Sequence, residues 1–168
     1  VTEDIRIRRY RWSDLDEVLA LHQIGLAQVG LMPGDGVYYD DDFPRIQAVY
    51  LADRGEFLVG EEPGGGRIVA MGGLRRIDDE TAEMCRLRVH PEFQRRGYGR
   101  MVLERLEDRA RELGYHVLRG DTTLQQGAAI ELYRRYGWHE VRRETRGGSV
   151  VLYGEKYLTP VVSPQLIR

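Results

Sequence analysis

Leu87-Arg88-Val89-His90-Pro91-Glu92-Phe93-Gln94-Arg95-Arg96-Gly97-Tyr98-Gly99-Arg100 reads as the end of a strand, a short basic loop and the start of a helix. Leu87 and Val89 lie one strand period apart, and Pro91, unable to donate to a ladder, ends the strand. Beyond Arg100, the residues Met101, Val102, Leu103, Leu106, Ala110 and Leu113 recur at helical spacing and form one apolar stripe. Gly97 and Gly99 fall in or beside the first turn of that helix, where each costs about 1 kcal/mol relative to alanine. A helix start offers unpaired N–H groups and a partial positive charge. Glycine lets a ligand approach the backbone closely, and Arg95, Arg96 and Arg100 surround the same point. Two readings fit: a plain turn beside a solvated arginine face, or a cradle for a phosphate. The segment is neither the dinucleotide fingerprint, which needs a third glycine, nor a P-loop, which needs Gly-Lys-Ser/Thr.

Outward from this stretch the pattern extends in both directions. Toward the N-terminus, Ile5-Arg6-Ile7-Arg8 alternates as a strand with one wet face. Ser13 is expected to cap the next helix, whose buried stripe is Leu15, Val18, Leu19, Leu21 and Ile24. Gly30 and Pro33-Gly34-Asp35-Gly36 break it. Asp40-Asp41-Asp42 reads as the solvated start of a second helix carrying Phe43, Ile46, Val49, Tyr50 and Leu51, or as an acidic lure for a cationic acceptor. Strands follow at Phe57–Gly60, Arg67–Leu74 and Thr81–Val89. Alternation in the last of these predicts Glu83, Cys85, Leu87 and Val89 on one face, with Met84, Arg86, Arg88 and His90 on the other. After the long helix, stopped at Gly114, come a strand over His116–Asp121 and a helix marked by Ala128, Ala129, Leu132, Tyr133 and Tyr136. A hairpin of Trp138–Thr145 and Ser149–Tyr157 turns at Gly147-Gly148. An antiparallel meander followed by β-α-β-α-β predicts an α/β mixed sheet with helices on both faces. A single domain is expected over residues 1–158, with 159–168 as a tail.

Gln94-Arg95-Arg96-Gly97-Tyr98-Gly99 resembles the Gln/Arg-x-x-Gly-x-Gly/Ala signature of the GNAT superfamily of acyl-CoA N-acyltransferases, and Leu87 to Glu92 resembles that family's strand and exit loop. The likeness covers about Glu56 to Tyr157. It implies that the strand ending at Val89 and the strand from His116 are parallel and splay apart. The pantetheine arm of acetyl-CoA then enters the gap, bonded to the backbone edge of Leu87, Arg88 and Val89. Gln94, Arg95, Arg96, Gly97, Tyr98, Gly99 and Arg100 hold the diphosphate in this picture. Tyr133, in Tyr133-Arg134-Arg135-Tyr136-Gly137-Trp138, matches the family tyrosine that protonates the coenzyme A sulfur. Its other reading is a core tyrosine. Glu83 matches a glutamate that activates the amine through water; otherwise it is a surface residue paired with Arg86 or Arg88. Many relatives carry asparagine where Gln126 stands, on pantetheine or the acetyl group. A backbone N–H near Leu87 to Val89 serves as the oxyanion donor. The resemblance implies an acetyl-CoA-dependent N-acetyltransferase acting on a primary amine, the alternative being a non-catalytic acyl-CoA-binding module.

Composition narrows the remaining classes. The 168 residues carry 25 basic and 27 acidic side chains, a net charge of −2, which argues against a general nucleic-acid binder. The one cysteine, Cys85, has no internal disulfide partner and is expected to be a small buried residue. The histidines His22, His90, His116 and His139 show no metal-ligand spacing, so no metal is expected. No apolar run approaches the ~20 residues of a membrane span. No signal-peptide pattern opens the sequence, and a cytoplasmic protein, in some relatives a homodimer, is expected.

Overall fold

The structure, a computed structural model, describes residues 4–32 and 41–158. The Pro33-Gly34-Asp35-Gly36 breaker, Asp40 and the 159–168 tail lie outside the described residues. Strands β1 (Arg6–Arg9), β2 (Glu56–Glu61), β3 (Ile68–Arg76), β4 (Thr81–Val89), β5 (Val117–Thr123), β6 (His139–Arg146) and β7 (Ser149–Tyr157) form one sheet in the order β1-β2-β3-β4-β5-β7-β6. All neighbours are antiparallel except β4 and β5, which run parallel. The predicted mixed sheet with one parallel pair is therefore present.

Helix α1 (Leu15–Gln28) covers one face, burying Val18 and Leu21 beside Phe43, Tyr50, Phe57 and Met71. Helices α2 (Tyr98–Glu112) and α3 (Gly127–Arg135) cover the other, where Val102, Leu103 and Leu106 meet Val69, Leu74 and Met84. Two adjacent glycines of β3 set how closely both layers approach. A Cβ on Gly72 would come within 2.8 Å of Leu106, and one on Gly73 within 2.9 Å of Tyr50. With no side chain at either position, a helix layer on one face and aromatic rings on the other pack against bare backbone.

Several local expectations are corrected. Ser13 does not cap α1; a 3₁₀ turn, Trp12–Asp14, leads into it, and the Asp14 carboxylate accepts from the Arg11 amide at 2.8 Å and from Arg8. Burial pushes the Asp14 carboxyl up, but these bonds outweigh it and hold it below the ordinary range. Ile24 is exposed, and His22 and Leu26 take its expected place in the buried stripe. The second helix is a 3₁₀ turn, Phe43–Arg45, followed by a π turn, Gln47–Leu51.

Strict alternation along β4 also fails. Gly73 pairs with Cys85 but Met71 with Arg88, so β4 carries one extra residue between them. Arg86 takes φ +59° at this bulge. A bulge shifts side-chain parity by one. Ala82 and Met84 before it, and Leu87 and Val89 after it, all face the α2 side, whereas Cys85 packs on the α1 side. Cys85 and Leu87 therefore occupy opposite faces.

Candidate active site

β4 is nine residues long, yet it pairs with β5 only where Thr81–Glu83 meets Val117–Arg119. Beyond that point β5 stays in register with β7 through Thr123, while β4 stays with β3. The strands must part, and the fork opens into a cleft of about 400 Å³ lined by Glu83, Arg86, Arg88, Asp121, Gln126 and Tyr133, among others.

At the open end of the fork, β4 runs into the basic loop. Gln94 donates to the Val89 carbonyl at 3.1 Å and pairs with Gln28 of α1, which fixes the strand exit. Arg95 and Gly97 take φ +63° and +82°, left-handed turns of the kind that gather N–H groups into an anion-binding concavity. Gly97 is the N-cap of α2, and no side chain caps the helix. The Met101 amide bonds the Gly97 carbonyl at 3.1 Å. The amides of Tyr98, Gly99 and Arg100 precede that first helical bond and have no helical acceptor. Arg95, Arg96 and Arg100 are exposed around them. Tyr98 is 2% exposed, so its ring belongs to the core and only its backbone faces the turn. The two glycines are not equivalent. Gly97 is required by its φ, whereas a Cβ on Gly99 would make ordinary contact with Val89 at 3.5 Å and Leu132 at 3.6 Å.

Inside the fork, Tyr133 is half-buried on α3, its ring 5.0 Å from that of Trp138. Gln126 spans the opening: its carbonyl accepts from Arg88 at 3.0 Å and its amide donates to Thr123 at 3.0 Å. Leu87, Arg88 and Val89 form the β4 wall, where the Leu87 carbonyl also accepts from Arg88 at 3.3 Å.

Glu83 stands at the last paired residue before the strands part. Its ion pair is with Arg75, 3.2 Å across the β3–β4 register, not with Arg86 or Arg88. Burial raises its carboxyl above the ordinary range; Arg75 offsets part of the effect and Asp121 adds to it. Asp121, on the facing strand β5, is also raised, chiefly by burial, with Arg146, Arg86 and Arg88 opposing. Sequence reasoning missed Asp121 because a lone acid in a short strand carries no signal until the partner strand is known. It also misread Asp42, which is buried rather than a solvated helix start. Asp42 accepts from Arg86 at 2.6 and 3.2 Å and from the Tyr50 hydroxyl. Asp41 is exposed and lines the cleft. Cys85, expected to be buried, is partly exposed and lines the cleft beside the same cluster; its sulfur is 3.4 Å from the Tyr50 hydroxyl, and desolvation pushes the thiol up to about 12.

A sheet that forks at its single parallel pair, with an uncapped basic helix start at the open end, defines an acetyltransferase fold. A solved acetyltransferase of the GNAT family from Staphylococcus aureus Mu50 superposes with a TM-score of 0.81 at 18% identity, over 92% of this chain and 99% of that one. The protein yncA of Salmonella typhimurium, solved with its cofactor acetyl-CoA, superposes with a TM-score of 0.76 at 22% identity, over 96% and 98% of the two chains. The model of the Acetyltransferase (GNAT) family matches residues 22–138, and the chain belongs to that family. It is 33% identical over 98 residues to the [Ribosomal protein bS18]-alanine N-acetyltransferase of Salmonella typhimurium, a match spanning 58% of this chain and 66% of that relative. Among the described residues no helix is long and apolar enough to cross a membrane.

Proposed function

We propose that this chain transfers the acetyl group of acetyl-CoA to a primary amine by direct attack within a ternary complex. The observation that carries this reading is the fork itself, with an arginine-rich helix start that no side chain caps at its mouth and Tyr133, Glu83 and Asp121 inside. The start of α2 at Gly97, where no side chain caps the helix, suits a diphosphate, and the guanidinium groups of Arg95, Arg96 and Arg100 add charge around it. The β4 wall from Leu87 to Val89 offers backbone groups to the pantetheine amides, with Gln126 at the opening.

The incoming amine is protonated at neutral pH, at a pKa of about 10.4 for a lysine and about 7.7–8.0 for a chain N-terminus. Glu83 or Asp121, directly or through water, takes that proton. Burial raises both carboxyls, so each is a stronger base than an exposed carboxylate. The amine nitrogen then bonds to the thioester carbon, and the carbonyl electrons move to oxygen. Backbone N–H groups near the β4 bulge hold that oxyanion. The carbon–sulfur bond breaks, the carbonyl re-forms, and Tyr133 gives its hydroxyl proton to the departing sulfur, while the second proton shed by the nitrogen as it becomes an amide passes through solvent back to the Tyr133 phenolate. A thiol of pKa about 8.5 is already a fair leaving group, so this last step assists without dominating.

The name of the Salmonella relative motivates a protein N-terminal amine as the first acceptor to test, with small polyamines, amino acids and antibiotics as the other arms. The setting in this reading is cytoplasmic, and a homodimer is compatible with it. The test is thiol release from acetyl-CoA with alanine-initiated peptides and a small-amine panel, with the product checked by mass spectrometry. Amine-dependent release with a singly acetylated product is expected. Tight acetyl-CoA binding with no turnover on any amine overturns it in favour of a non-catalytic binding module.

A further inference from the structure

Arg86 is, among the described residues, the one non-glycine in a strand held at left-handed φ. Such a residue persists only where its surroundings over-determine it. Two independent contacts do so here. Asp42 grips the guanidinium at Nη2 and Nε, at 2.6 and 3.2 Å, and the Phe43 ring lies beneath it at 4.9 Å. Both charged side chains are 11% exposed. Asp42 is in turn held by the Tyr50 hydroxyl, whose ring packs on Phe57 of β2 at 5.2 Å. The segment over the α1 face of the cleft and the bulge in the cleft wall are thereby one mechanical unit.

We propose that Asp42 and Arg86 form a latch that holds the β4 bulge, and with it the backbone amides facing the thioester, in the geometry acyl transfer requires. Both are positioning residues; neither touches the reacting atoms. The proposal rests on the acetyltransferase reading above. A buried ion pair is a poor source of net stability compared with apolar side chains of like volume. A bidentate pair on a strained residue beside a cleft specifies one local geometry instead.

The test uses Asp42→Ala, the conservative Asp42→Asn, and the double variant Asp42→Ala/Arg86→Gly. Glycine holds a positive φ without strain and leaves no stranded cation. Asp42→Ala should lower kcat about 10- to 100-fold, the scale of a small misplacement of reacting groups, while KM for acetyl-CoA stays within about twofold. Asp42→Asn should fall between it and the parent, and the double variant should recover at least about tenfold of the lost kcat. Because removing both members of a buried pair can itself restore stability, kcat is compared well below the Tm of each variant, where a difference in stability alone does not change it. Cys85 provides a readout that needs no turnover: its labelling by a thiol reagent should accelerate in Asp42→Ala and slow again in the double variant. A kcat unchanged in Asp42→Ala, or a folded double variant no better than the single one, overturns the latch. Should the parent acetylate no amine, the function itself fails, and the latch is judged by Cys85 alone. Unchanged labelling would then overturn it, and faster labelling reversed by glycine would uphold it.

Discussion

Gly97→Ala separates the strain of a turn from the space it leaves for a ligand. At φ +82° an L-residue is disfavoured by about 1–2 kcal/mol. The new methyl would meet only the Arg100 guanidinium, at 3.6 Å, so no clash adds to that cost. At about 2–4 °C per kcal/mol for a chain of this size, Tm should fall by roughly 2–8 °C. Ligand binding should suffer separately. A phosphate oxygen accepting from the amides of this turn sits about 3 Å from their nitrogens, and the methyl would stand against the Arg100 guanidinium that faces the same anion. Losing one hydrogen bond to a charged group, about 1.5–3 kcal/mol, weakens binding by roughly 10- to 100-fold. Titration calorimetry with acetyl-CoA measures this directly. Gly64→Ala is the control: its φ is +73°, nothing lies within 4 Å of its Cβ, and it is not among the residues lining the cleft. It should lose similar Tm and no affinity. Undiminished acetyl-CoA binding by Gly97→Ala, or an equal loss in Gly64→Ala, would refute the cradle.

Tyr133→Phe keeps the ring against Trp138, and kcat should drop by about tenfold or more as the acid is lost; full activity would remove Tyr133 from the chemistry. The base must be ionised, so kcat/KM should rise with pH through a limb displaced upward from the ordinary carboxyl value of about 4. Whichever of Glu83→Gln and Asp121→Asn abolishes that limb marks the base. The stability sign is opposite to that of a salt-bridged carboxylate. An acid whose folded pKa is raised holds more protons folded than unfolded, so the fold loses stability as pH rises between the two values. Glu83→Gln should therefore be at least as stable as the parent at neutral pH in urea unfolding. Glu107 is 3% exposed and accepts from Trp138 Nε1 at 3.0 Å and Lys156 Nζ at 2.7 Å. Glu107→Ala should cost about 1–3 kcal/mol in the same assay, because it leaves the buried Trp138 N–H without its acceptor and removes the anion facing the partly exposed Lys156.

Local sequence carried the element order, the strand-to-helix turn at the cradle and the hairpin at Gly147-Gly148. In each, the decisive signal lies within a few residues: period-two or period-3.6 apolar spacing, a proline that ends a ladder, a glycine that takes positive φ. The family signature added Tyr133, Gln126 and Glu83 as site residues, and the structure gathers all three around one cleft.

What the sequence by itself determined is therefore the list of elements and the nature of the turn, because both follow from bonded neighbours. Only the tertiary structure decided the rest. The bulge at Arg86 lies where its side chain meets a residue 44 positions away, and no local pattern announces it. Glu83 found Arg75 through strand register, and Asp121 became a candidate base only when β5 was set across the fork from β4. Asp42 belonged to an acidic run that any sequence reading exposes to water, yet folding buries it against Arg86. Charge pairing and burial depend on which distant surfaces meet, and that is settled by packing, not by the order of neighbours along the chain.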